Sequence, residues 1–227
     1  MAKPALRVLR TGGLYFDGVD DYILIPHSAS LYLNEDFTVL AWATLERIPP
    51  RYGGVIDKGR ESLSDFWFLS FALNPKFFFG IGFTDGTFSE RSFPSVNLGE
   101  WNFYAFGVED SKTFMSFNGS AKTYSTFTKT RKITTQNLTL GCRNIIYNFE
   151  KIKLDEVRIY KRALTDAEIS EIYTKGTLIK DGLVLCLPFH EHEGNIAHDV
   201  SGYNNHGTIY GARWGVKKAL RVLPKAG

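Results

Sequence analysis

Residues 154–173 read LDEVRIYKRALTDAEISEIY. With Lys153, the opening of this stretch forms a strand-like run, KLDEVRIY, that ends in Arg158-Ile159-Tyr160, and a helix signal follows almost at once. Thr165 is a favourable N-cap, Asp166 and Glu168 put negative charge in the first turn, and Glu168 stands where a capping box requires it. Gly176 supplies the stop. Ile169, Ile172 and Tyr173 share one helical face, so a short helix over about 165–175 is expected to cap a sheet.

Working outward, the chain from Gly13 onward is a succession of short apolar or alternating runs. They include GLYFDG (13–18), DYILIP (21–26), FTVLAWATL (37–45), GGVIDKG (53–59), DFWFLSFAL (65–73), FFFGIGF (77–83), WNFYAFGVE (101–109), TFMSFNG (113–119), NLTLGC (137–142) and GLVLCLPF (182–189). Asp17-Gly18, Asp85-Gly86, Asn118-Gly119 and Asn74-Pro75 punctuate them as turns. Many short strands with a single helix predict an all-β, two-sheet antiparallel sandwich. The aromatic share of 15%, weighted to 18 Phe and 11 Tyr, suits half-buried pleated surfaces.

The 227 residues fit one large β domain. Charge divides it. Lys3, Arg7 and Arg10 mark a basic N-terminal arm (1–12), and Lys217, Lys218, Arg221 and Lys225 mark a basic C-terminal arm (216–227) just beyond Arg213. Neither arm holds an acid, so against +3 overall the body is acidic. Arg7, Arg10, Lys217, Lys218 and Arg221 are read as assembly contacts with another copy, not as a nucleic-acid surface, since they lack interleaved aromatics. No run approaches the ~18 apolar residues of a membrane span, and MAKPALRVLRTGG opens without the apolar stretch of a secretion signal. A virion or cell-surface location reached without classical secretion is expected, or otherwise the cytoplasm. Cys142 and Cys186 sit in apolar runs and read as buried thiols, with one disulfide as the alternative.

The stretches LYFDGVDDYILIPHSASLYLNEDFTVLAWATL (14–45), VIDKG (55–59), GEWNFYAFGVEDSKTFMSFNG (99–119) and LDEVRIYKRALTDAEISEIY (154–173) resemble the laminin G-like jelly rolls of the concanavalin A-like lectin/glucanase superfamily. The body, 13–180, then continues into DGLVLCLPFHEHEGNIAHDVSGYNNHGTIYGARW, which resembles the opening of such a domain and here comes last, within 181–215. The pentapeptide ALRVL at both 5–9 and 219–223 looks like one connector cut in two. The resemblance thus implies a circularly permuted jelly roll over 13–215, closed by its own tail or by that of a neighbour.

The family's glucanases use evenly spaced paired carboxylates. Glu150, Asp155 and Glu156 do not make that pattern, so a non-catalytic role is expected. The family's habit of carrying Ca²⁺ implies oxygen ligands. Asp155, Asp199, Asn204 and Asn205 are the candidates, with a turn-forming role for Asp155 and Asp199 standing level with metal binding. Asp17, Asp20 and Asp21 form a second acidic cluster, DGVDD (17–21), that reads first as turn-forming, with metal binding as the alternative. His190, His192, His198 and His206 match no zinc spacing and read as a solvated loop. Glycan contacts call for exposed aromatics with polar neighbours, and Tyr52, Arg60, Trp67, Arg143, Asn144 and Tyr147 supply them in or beside expected loops. The expected function is structural or surface recognition, either as a self-assembling virion or filament component or as a monomeric Ca²⁺-dependent carbohydrate-binding module.

Overall fold

Phe37–Leu45 explains the architecture by itself. Phe37, Val39, Ala41, Ala43 and Leu45 point to one side of the strand and Leu40 and Trp42 to the other, and both sides are covered. A strand apolar on both faces belongs to a middle layer. In the computed structural model, which describes residues 12–48, 53–60, 65–71, 75–143 and 148–215, that layer is one of two antiparallel sheets.

The strands in chain order are β1 (Leu14–Asp17), β2 (Tyr22–Ile25), β3 (Phe37–Leu45), β4 (Gly53–Arg60), β5 (Asp65–Phe71), β6 (Lys76–Gly82), β7 (Phe88–Ser95), β8 (Asn102–Glu109), β9 (Lys112–Phe117), β10 (Thr123–Thr126), β11 (Leu138–Leu140), β12 (Lys151–Tyr160), β13 (Leu183–Leu187), β14 (Ile196–Ala197), β15 (Gly207–Tyr210) and β16 (Arg213–Trp214). One sheet runs β10-β9-β8-β3-β12-β1-β16, with β13 also paired to β12. The other runs β14-β15-β2-β11-β4-β5-β6-β7. Between them Phe37, Trp67, Phe106 and Phe79 meet in turn with ring centroids 4.8–6.4 Å apart, and Phe77 meets Tyr104 at 4.3 Å. No helix of the described residues is long and apolar enough to cross a membrane.

The helix α1 spans Asp166–Lys175 and carries the full capping box: Thr165 Oγ1 accepts the Glu168 N–H, and the Glu168 carboxylate accepts the Thr165 N–H. Gly176 closes it in the left-handed conformation at φ 69°. Ile169 and Ile172 bury against Leu40, Phe103, Phe114 and Tyr160 on the outer face of the first sheet, and Tyr173 stacks on Trp42 at 5.5 Å. From β12, Arg158 reaches the far end of the helix, where its guanidinium donates to the Thr177 and Gly176 carbonyls at 2.8 and 3.4 Å. A cation there suits the negative end of the helix dipole.

The tail folds into its own chain. β12 pairs with β1 over Lys151–Leu154 and with β13 over Val157–Tyr160, and Glu156, at φ 49°, marks the change of partner. β15 pairs with β2 and β16 with β1, where the Gly215 N–H donates to the Gly13 carbonyl at 2.8 Å. All five β13 residues are buried. Cys142 and Cys186 are buried free thiols, and burial pushes the Cys186 thiol up to about 11. Besides the two-residue β14, sequence patterning missed β7 and β10. Both are edge strands of largely exposed, polar residues, so no buried face imposed an apolar alternation on them.

Candidate functional site

The loop from His198 to His206 holds three of the four residues expected to bind Ca²⁺. Asp199 Oδ1 accepts the N–H groups of Cys186 (2.8 Å) and Ser201 (2.9 Å), and Oδ2 accepts Ser201 Oγ (2.7 Å) and the Asn205 N–H (2.9 Å). Asn205 donates to the Val184 carbonyl and to Ser30 Oγ, and its oxygen accepts from Ser28 Oγ. The Val200 N–H completes the set by donating to the Cys186 carbonyl. These groups stand in for a neighbouring strand along the free edge of β13. Asp199 and Asn205 therefore act as turn and edge-capping residues, their oxygens already committed within the chain. Asn204 is exposed in a left-handed turn at φ 57°, and Asp155 is buried on β12 opposite Trp42. The His198 and His206 rings meet edge to face at 5.3 Å, and His206 Nδ1 accepts the Asp199 N–H, so His206 belongs to the same framework.

The expected glycan contacts separate onto opposite faces of the second sheet. Trp67 is only 4% exposed, packed against Phe37 and Phe106 between the sheets, and offers no face to a sugar. Arg143 lies outside that sheet, its guanidinium over the Phe68 ring at 4.5 Å and 3.7 Å from the Asp57 carboxylate, and is itself buried. Both corrections have one cause: a large side chain in a β-rich chain is more often covered than displayed. Arg60 ends β4. Tyr52, Asn144, Tyr147 and the arm residues Arg7, Arg10, Lys217, Lys218 and Arg221 lie outside the described residues.

Another surface gathers the groups that recognition needs. Ile23 and Ile209 face the core, so by strand alternation Tyr22 and Tyr210, directly paired across β2 and β15, face out. Their rings stack at 4.5 Å with planes 12° apart, and Phe149 lies 6.3 Å from Tyr22. Tyr210 is 42% exposed. Next to Tyr22, the β1–β2 turn brings oxygens of Asp17, Asp20 and Asp21 within 4.8 Å of one another. Asp21 Oδ2 accepts the Asp17 N–H and Asp17 Oδ1 the Val19 N–H, both at 2.8 Å. Burial raises the Asp21 pKa, a shift reinforced by Asp17 and Asp20 and opposed by the Asp17 N–H and by Arg213. Gly211, following Tyr210 at φ 75°, lets the two segments meet, because a Cβ there would lie 2.0 Å from Asp21 Oδ1. The acidic part of this surface is local in sequence, DGVDD at 17–21, but no local signal marks the tyrosine pair, since Tyr22 and Tyr210 come from opposite ends of the chain.

A profile of the concanavalin A-like lectin/glucanases superfamily matches residues 17–170. A search of curated proteins returns no match. Among solved structures, a protein from Bacteroides ovatus ATCC 8483, whose carbohydrate-binding role is an assignment, superposes with a TM-score of 0.70 at 15% identity. That match covers 92% of this chain and 61% of the other. The sialidase of Trypanosoma rangeli in complex with 2,3-difluorosialic acid superposes with a TM-score of 0.59 at 18% identity, over 74% of this chain and 28% of the enzyme. This chain thus spans less than two thirds of either protein, and at such identities the likeness concerns the fold. With its matched residues taking in both sheets and the start of the capping helix, the chain belongs to the concanavalin A-like lectin/glucanase superfamily.

Proposed function

We propose that this chain is a non-catalytic, lectin-like recognition module that binds glycans at the Tyr22–Tyr210 surface. The observation that carries the reading is the stacked, outward-facing tyrosine pair beside three aspartates. A sugar presents an apolar face, which an exposed ring can cover, and a rim of hydroxyls, which carboxylates can accept from. The carbohydrate-binding assignment of the Bacteroides ovatus neighbour agrees with it. Calcium, implied by the family, suits the oxygen donors of Asp17, Asp20 and Asp21 better than those of Asp199 and Asn205. Bound there, it would supply a Lewis-acidic contact for sugar hydroxyls. The test is a glycan array, followed by titration of the best ligand against Tyr210→Ala. At least a tenfold loss of affinity with an unchanged melting curve is expected, and equal affinity would refute the assignment. A melting temperature indifferent to calcium and to chelator would remove the ion from the reading.

A second reading, self-assembly on a virion or filament, is favoured by the pairing of Gly215 with Gly13, which brings both ends of the described body to one corner of the sandwich. The two acid-free arms, whose cations lie outside the described residues, carry charge opposite to that of the acidic body of another copy. Light scattering that gives one mass of 25.7 kDa at all concentrations and salt levels would exclude it.

A further inference from the structure

Lys58 belongs to neither reading. By strand register it faces inward, in line with Leu138 and Ile25, and it is 1% exposed. Its ammonium donates to His27 Nδ1 at 3.1 Å and to the Gln136 carbonyl at 2.5 Å, both neutral acceptors, which leaves one N–H without a partner. Burial lowers its pKa to about 8, with no carboxylate acting in the other direction. A buried cation without a counter-ion is costly, and native structures seldom keep one.

Beside Lys58 is a cavity with about 10 Å³ for the centre of a water-sized sphere, room for one water or a monoatomic ion. Trp67 lines it, 4% exposed, and its indole N–H has no acceptor. Thr134 lines it too, 3% exposed. Its Oγ1 accepts the Gln136 N–H, which leaves the hydroxyl proton to be donated. Arg131 and Lys132 add positive charge to the wall, although the Arg131 guanidinium itself is spent on the carbonyls of Leu33, Asn34 and Glu35. The described lining residues include three cations and no acid. One water could accept from two of these donors but would leave the ammonium charge uncompensated. A halide accepts from several donors at once and neutralises it.

We infer that this cavity is a structural halide site, in which a chloride-sized anion accepts from Lys58, Trp67 and Thr134 where β4, β5 and β6 meet the 131–134 loop. The site is independent of the glycan-facing surface, from which it is separated by the second sheet. The test uses the intact chain. Crystals soaked in bromide should show an anomalous peak in the cavity, within hydrogen-bonding distance of Lys58 Nζ and Trp67 Nε1. In solution, replacing gluconate by 100 mM chloride at constant ionic strength should raise Tm by about 2–4 °C. Lys58→Met, which removes the charge and keeps the length, should abolish that rise while remaining folded, and Trp67→Phe should reduce it. The inference is overturned by a cavity holding only water, or by a chloride effect of the same size in Lys58→Met. A bromide peak with no dependence of Tm on halide would mean an adventitious ion only, and would overturn it equally.

Discussion

Replacing Asp199 by Asn separates a scaffold role for its loop from a metal-binding one. The carboxylate accepts four hydrogen bonds, two on each oxygen, from donors on β13 and in the loop itself. In Asp199→Asn one oxygen becomes an NH₂: at the Oδ1 position it would strand the Cys186 and Ser201 N–H groups, whereas at the Oδ2 position it strands only the Asn205 N–H, because Ser201 Oγ can turn and accept from it, so the amide takes the second orientation and one bond is lost. Hydrogen bonds to a charged acceptor contribute about 1.5–3 kcal/mol each, so the loss is about 1.5–3 kcal/mol, a sizeable share of the 5–15 kcal/mol that holds typical domains folded. At about 2–4 °C per kcal/mol for a chain of this size, Tm should fall by about 3–12 °C. Urea denaturation followed by tryptophan fluorescence, with EDTA and with calcium, provides the assay. The fall should be the same in both buffers, because the partners belong to the protein. An unchanged midpoint, or a fall seen only with calcium present, would refute the scaffold argument.

Four other outcomes follow from the packing and electrostatics. Glu150 is 1% exposed, with Oε2 unpartnered, and burial pushes its pKa to about 8 against an ordinary 4.5, partly countered by Arg47. Between those values the folded state holds the extra proton, so stability should fall as pH rises from about 5 to 8, and Glu150→Gln should flatten a Tm–pH series over that window. Glu168 is displaced the other way, to about 2, chiefly by its hydrogen bond to Arg162. Its contribution is complete above about 4.5 and lost as pH falls toward 2, so Glu168→Gln should remove that acid-side loss, and Thr165→Ala should cost about 1 kcal/mol at neutral pH by chemical denaturation. Deleting 181–227 removes the buried β13 side chains, and at about 1.5–3 kcal/mol for each Leu or Val the truncated chain should show no cooperative melting transition. A sharp transition would mean that the first 180 residues form a complete sandwich.

The fold was legible because its signals are local. Thr165, Glu168 and Gly176 specify the helix within a dozen residues, and the apolar stretch Phe37–Leu45 announces a covered strand. The site was not legible for the opposite reason. Trp67 and Arg143 looked alike in the sequence, yet pleat and register send one between the sheets and the other onto Phe68. Asp199 has the composition of a ligand, and only the free edge of β13 reveals what it holds. Lys58 follows Asp57 in a run that reads as an ordinary half-exposed strand. Its burial depends on the inward register of β4, which no nearby residue encodes.

The pairing of β16 with β1 and of β15 with β2 also sets the order of events during synthesis. β1 and β2 leave the ribosome first, yet each waits for a partner from the far end of the chain. Until residue 187 emerges β12 keeps half an edge open, until residue 210 β2 keeps a whole one, and until residue 214 β1 lacks its outer partner, while the apolar faces between the sheets are already made. Contacts of such long sequence separation slow folding and prolong exposure of unpaired edges. The interval before the tail arrives is therefore when a nascent chain can most easily accept a neighbour's strand in place of its own.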